Sequence, residues 1–130
     1  MDKQVSFDDL IVEAKKILYL RELSDDSSAG TVSCALLANN GKIYKGVCID
    51  TPCSMGFCAE HSAIASMITD GESRILKIVA INLEKEKVSP CGRCREFIYQ
   101  INNANINTEI MIHNRKVYAL HELLPHIWDQ

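Results

Sequence analysis

Phe7, Leu10, Ile11, Ala14, Ile17 and Leu18 recur at helical spacing. That period lays them along one helical face and predicts a helix over 7–22. Ser6 can cap it, with Asp9 three residues on as the carboxylate of a capping box. The polar stretch 23–30 predicts a turn region. Segments 31–38 and 42–49 are rich in β-branched and apolar residues and predict two strands. Asn39, Asn40 and Gly41 between them supply the positive-φ positions of a tight hairpin. Residues 50–57, with Pro52 and Gly56, predict a loop. Small residues at Ala59, Ser62, Ala63, Ala65 and Ser66 mark a closely packing helix over 58–70, with Gly71 as its stop. Residues 76–83 are apolar almost without a break, the pattern of a strand covered on both faces. Ser89-Pro90 predicts a cap and a first-turn proline for a helix reaching Asn102. A strand over 108–113 and a short helix over 119–124 complete the chain.

Strands alternating with helices imply an α/β domain whose mixed sheet is covered on both faces. Both central helices start just after a strand or its exit loop. If those strands are parallel and adjacent, both helix N-termini open onto one crevice at the carboxyl edge of the sheet, where ligands bind. No repeat, linker or low-complexity tract interrupts the 130 residues, so 1–130 is read as a single domain, long enough to bury a core without disulfides. A hydrophobic fraction of 47% with 24% charged residues argues against disorder. No apolar run approaches the ~18 residues of a membrane span, and the polar start Met1-Asp2-Lys3-Gln4 is not that of a secretory signal. A cytoplasmic protein with no membrane partner is expected. A net charge of −3 without a basic tract argues against nucleic acid as a partner. Six cysteines in such a chain point to metal ligands, catalytic groups or buried packing residues rather than disulfides.

Cys58 opens the first central helix, and Cys91 and Cys94 lie in the first turn of the second. Helix N-termini and a divalent cation both lower a thiol pKa, and closely spaced thiolates select zinc. Three protein ligands leave a fourth tetrahedral position open, which makes the site catalytic in type. Glu60, two residues after Cys58, can take a proton from an attacking water and pass it on. A closed site with His61 as fourth ligand is the alternative, since Cys58 and His61 stand one turn apart. A thioredoxin-like redox pair at Cys91 and Cys94 leaves Cys58 and Glu60 without a role. Cys34, Cys48 and Cys53 are expected to pack or to lie in loops, and His113, His121 and His126 to lie on the surface.

Cys58-Ala59-Glu60 followed by Pro90-Cys91-Gly92-Arg93-Cys94 matches the signature of zinc-dependent nucleobase deaminases in its all-cysteine version. From about Thr31 to Trp128 the chain resembles the small cytidine deaminase family, which includes the blasticidin-S deaminases. Further carriers of the resemblance are Thr31-Val32-Ser33-Cys34-Ala35-Leu36-Leu37, Gly41-Lys42-Ile43-Tyr44-Lys45-Gly46 and Glu122-Leu123-Leu124-Pro125. It implies a three-layer α-β-α fold with a five-stranded mixed sheet, one catalytic Zn²⁺ per subunit and a homotetramer. It further implies hydrolytic attack at C4 of a free cytosine nucleoside, with Glu60 shuttling the proton to N3 and then to the departing ammonia. Backbone groups at Ala59 and Ser89 then meet the base edge. Many relatives carry an Arg directly after the Glu. Here His61 stands there, and Arg93 is expected to offset the thiolate charge. Where nucleoside-specific members carry Asn-x-Glu for the ribose, this chain reads Cys48-Ile49-Asp50. Asp50 can still accept from a sugar hydroxyl, while Cys48 is a poor partner. Phe57 and Trp128 are candidate aromatic neighbours of the pyrimidine. Core packing is the expected use of Phe57. The resemblance implies that Trp128 covers a neighbouring subunit's site, with an interface or core anchor as the equal alternative. Blasticidin S or another 4-aminopyrimidine is the alternative substrate, and a noncatalytic zinc scaffold the alternative of another class.

Overall fold

A computed structural model describes residues 4–84 and 86–129. The chain runs α1 (Phe7–Lys16), β1 (Arg21–Glu22), β2 (Ser28–Ala38), β3 (Ile43–Asp50), α2 (Ala59–Thr69), β4 (Ile75–Asn82), β5 (Lys87–Val88), α3 (Gly92–Ile101), β6 (Glu109–Met111), β7 (Val117–Ala119) and α4 (Leu120–Leu123). Five strands carry the sheet in the order β3-β2-β4-β6-β7, with β4 and β6 parallel and every other neighbour antiparallel. The two-residue strands β1 and β5 extend it beside β2 and β4 and were not expected.

Alternation along β2 and β4 builds the layers. Ala35, Leu37, Val79 and Ile81 face α1, whose buried side is Phe7, Leu10, Ile11 and Ala14. Cys34, Leu36, Ile78 and Ala80 face the opposite way, onto Ala63, Ile64 and Met67 of α2, Ile98 of α3 and Leu120 of α4. The sheet is thus covered on both sides, which is why 76–83 reads as a continuous apolar run. Among the described residues no helix is long and apolar enough to cross a membrane.

The capping box forms as expected, with Ser6 Oγ accepting from the Asp9 amide and the Asp9 carboxylate accepting from the Ser6 amide. The helix stops at Lys16 rather than continuing to 22, and side chains from beyond it take carbonyls at its end. Ser33 donates to the Ala14 oxygen at 2.7 Å, and Arg21 to the Ile17 oxygen at 3.1 Å. Of the three hairpin residues only Gly41 takes positive φ, at +85°. Gly71 ends α2 with φ +95°, its amide bonded to the Ile68 carbonyl and that of Glu72 to Met67, the Schellman pattern. Ser89 and Pro90 do not open α3: Cys91 is the cap, and the helix begins at Gly92. Buried Asn105 anchors the far end of α3, donating to the Ile98 carbonyl and accepting from the Ile75 amide.

β3 and β4, which precede the two central helices, are parallel to each other but not adjacent, because β2 runs antiparallel between them. The helix N-termini therefore converge across the start of β2. Gly46 sets how closely α2 lies on β3: a Cβ there would sit 2.3 Å from the Ala63 nitrogen and 2.6 Å from Ser62 Cβ. Gly46→Ala is expected to cost about 3 kcal/mol by overpacking against backbone, read by urea unfolding; wild-type stability would mean that α2 yields freely.

Asp70 at the C-terminus of α2 accepts from Tyr44 Oη and from Lys42 Nζ at 3.5 Å. The Tyr44 hydrogen bond first, and then the Lys42 charge, hold its carboxyl below the usual range. Its contribution to stability is present above the unfolded carboxylate pKa of about 3.9 and is lost as pH falls through the lower folded value. Asp70→Asn is expected to flatten this part of the acid limb. Melting curves at successive acid pH values check it, and parallel limbs for the two proteins would refute it.

Candidate functional site

Cys58 caps α2 and Cys91 caps α3, each extended at ψ near 160–170°, with Cys94 one turn inside α3. The Cys58 and Cys91 sulfurs are 3.8 Å apart, and those of Cys91 and Cys94 3.4 Å. Cys58, His61 and Cys94 also form a group whose donor atoms all lie within 4.8 Å of one another. A tetrahedral zinc with Zn–S of about 2.3 Å needs sulfurs about 3.8 Å apart. The three thiols fit that ion, and the Cys58/His61/Cys94 group is itself metal-capable.

Burial pushes the Cys58 thiol up and the buried Cys94 thiol far up. Cys91 moves the other way. Burial raises it, but the amides of Cys94 and Arg93 and the neighbouring thiols outweigh that, so the net direction is down. This is the effect of a helix N-terminus on a thiol. The Glu60 carboxylate is almost fully buried, and burial raises its pKa against hydrogen bonds from its own amide and the Cys94 thiol. His61 Nδ1 lies 3.5 Å from Cys94 Sγ, and its ring stacks on Phe97 at 4.4 Å and 5°. Burial and the Arg93 charge hold that imidazole below its usual pKa.

A cleft of about 490 Å³ opens beside this group. Cys58, Ala59 and Glu60 of α2 line it with Cys91 and Arg93, facing Val88 and Ser89. Thr31, Val32, Cys48, Ile49 and Asp50 from the β2 and β3 ends form further wall, and Thr51, Ser54, Gly56 and Phe57 complete it. His61 and Cys94 are not on the cleft wall; they stand behind it. Phe57 is 38% exposed there, held by paired backbone bonds to Ile49, so the expected core role is corrected. Trp128 is 66% exposed and is not part of this cleft. Cys34 is buried as expected, Cys53 is exposed in its loop, and His113, His121 and His126 are on the surface. Among the described residues, no hydrogen bond joins the Arg93 guanidinium to a thiol; His61 makes the side-chain approach to Cys94. Phe97 and Thr31 escaped the sequence reading. Phe97 follows Cys94 by three residues on one helix face, a usable signal. Thr31 is brought in by the β2–β3 register, which leaves no local mark.

A three-layer α-β-α domain with thiols and a buried carboxylate gathered at two helix N-termini, beside a cleft, defines a metal-site fold of the deaminase kind. Residues 10–110 match the cytidine and deoxycytidylate deaminase zinc-binding region, and the chain belongs to that family. It is 38% identical over 74 residues to a cytidine deaminase of Mycoplasma genitalium, covering 55% of this chain and 56% of the relative. With a cytidine deaminase of Sporosarcina psychrophila it shares 40% over 77 residues, covering 58% and 56%. The match therefore spans little more than half the length of these relatives. The crystal structure of cytidine deaminase from Mycobacterium leprae superposes with a TM-score of 0.79 at 25% identity, covering 95% of this chain and 100% of that one.

Proposed function

We propose that this chain is a zinc-dependent aminohydrolase that converts a free cytosine nucleoside, cytidine or deoxycytidine, to the corresponding uracil nucleoside and ammonia. The observation that carries the reading is that Glu60, Cys58 and Cys91 share one wall of a nucleoside-sized cleft. Cys58, Cys91 and Cys94 would hold one zinc ion per chain, with His61 behind them as a partner of Cys94. When bound, the ion supplies Lewis-acid chemistry that makes water nucleophilic at neutral pH. Glu60 accepts a proton from the attacking water and delivers it to N3 as oxygen bonds to C4. It then moves the second water proton to the amino group, which leaves as ammonia. Burial keeps bulk water from the carboxylate and raises its pKa toward the range where it can accept and return a proton. The Ala59 amide and the Ser89 carbonyl are suited to orient the base edge. Arg93, on the same wall, adds positive charge near the thiolates.

The reading includes a single domain acting in the cytoplasm and a homotetramer; the exposed Met55 and Trp128 leave apolar surface for subunit contact. Loss of aminopyrimidine absorbance with cytidine, deoxycytidine and blasticidin S, using zinc-loaded protein, tests it. Turnover of blasticidin S alone would move the substrate to that class. Zinc bound with no turnover of any would make the site structural.

A further inference from the structure

α3 begins with a charge arrangement that its own dipole disfavours. Its first turn holds no acid, and two cations, Arg93 and Arg95, stand near its N-terminus, where the dipole repels them. The Arg95 side chain turns to two backbone oxygens. Its Nε donates to the Pro90 carbonyl at 2.9 Å, and its Nη1 to the Leu123 carbonyl at 3.0 Å. Pro90 is buried and has no N–H, so its carbonyl is the one main-chain group by which it can be bonded. Leu123 is the last residue of α4, where carbonyls lack helical partners. One planar guanidinium thus ties the C-terminal segment to the joint between β5 and α3.

That joint carries two groups of the site. Ser89 before Pro90 and Cys91 after it both line the cleft, and Cys91 Sγ stands 3.8 Å from Cys58 Sγ. Among the described residues no other hydrogen bond holds Ser89 or Pro90. We infer that Arg95 is a positioning residue for the reaction: by holding the Pro90 carbonyl it sets where the Ser89 carbonyl meets the base edge and how Cys91 approaches Cys58. The base-edge half rests on the proposed deaminase reading, and the thiol half stands on the metal site alone.

Arg95→Gln and Arg95→Met test it. The Gln amide nitrogen falls at the same place along the side chain as Arg Nε, so it keeps the bond to Pro90 and loses that to Leu123. The C-terminal segment is still tied there by Tyr99 Oη, 3.4 Å from the Asp129 carboxylate. Met keeps the stem and donates nothing. Zinc affinity, read by chelator competition, is expected to fall about 10- to 100-fold in Arg95→Met, the range for losing a group that orients a ligand. In the zinc-saturated variant KM for cytidine is expected to rise about tenfold, with kcat falling less than KM rises. Arg95→Gln is expected to stay within about threefold of wild type in both, short of the tenfold of one lost hydrogen bond, while melting lower. If Arg95 only fastens α4, folded Arg95→Met keeps wild-type zinc affinity and KM, or the two variants lose both alike; either result overturns the inference. Should Arg95→Met not fold, loss of both readouts in Arg95→Gln overturns it, because that variant keeps the Pro90 bond. No turnover by wild type overturns the deaminase reading and the base-edge half with it, and the zinc affinities then decide the thiol half.

Discussion

Glu60→Gln is expected to retain zinc and lose turnover, with kcat on cytosine nucleosides falling by about 10²- to 10⁴-fold, the range for a positioned general acid–base. Gln preserves the shape and the burial but cannot carry the proton between water, N3 and the amino group. Zinc content by metal analysis and kcat from the same preparation check the two halves, and kcat within threefold of wild type would sink the assignment. The metal-free protein offers a second readout. Burial raises the folded pKa of Glu60, so the ionised carboxylate opposes folding at neutral pH. That cost is relieved as pH falls through the folded pKa toward the unfolded value. Metal-free Glu60→Gln is therefore expected to melt above metal-free wild type at pH 7, with the gap closing on acidification.

Removal of single donors separates the two ligand sets that the geometry permits. Cys58→Ala, Cys91→Ala and Cys94→Ala are each expected to weaken zinc binding on the order of 10³-fold, one share of a total of roughly 10–16 kcal/mol. His61→Leu removes a neighbour of a ligand and is expected to cost about 10- to 100-fold. Competition with a chelator of known affinity reads the order. Retention of zinc in Cys91→Ala with its loss in His61→Leu would make Cys58, His61 and Cys94 the ligands instead. Burial keeps the Cys58 and Cys94 thiols protonated without the ion. Zinc uptake must then displace at least these two protons, and apparent affinity is expected to fall at least about 100-fold per unit of acidification.

The α/β class, the capped first helix, the glycine stop at Gly71 and the buried central strand were all legible in the chain. Each depends on a period or on a residue whose backbone preference acts locally. The pairing of Cys58-Ala59-Glu60 with Pro90-Cys91-Gly92-Arg93-Cys94 was legible for the same reason, since each half is a helix head. The local signal gave element ends less well. Ser33, nineteen residues on, takes the Ala14 carbonyl where α1 stops at Lys16, and Cys91 rather than Ser89 is the cap residue of α3.

What local residues carry was therefore present in the linear order: which thiols and which carboxylate stand at helix heads, and which segments are helical. The surroundings of those groups came only with the folded chain. The insertion of β2 between β3 and β4, the approach of His61 to Cys94 and the pairing of Cys48 with Thr31 and Val32 all join residues far apart in the chain, and only the fold shows Phe57 exposed in the cleft. Helix caps and ligand spacings act within a turn or two, so they are written in neighbouring residues. Sheet order, register and burial arise from packing across the whole domain, and here they set the ends of the elements, the company of the thiols and the lining of the cleft.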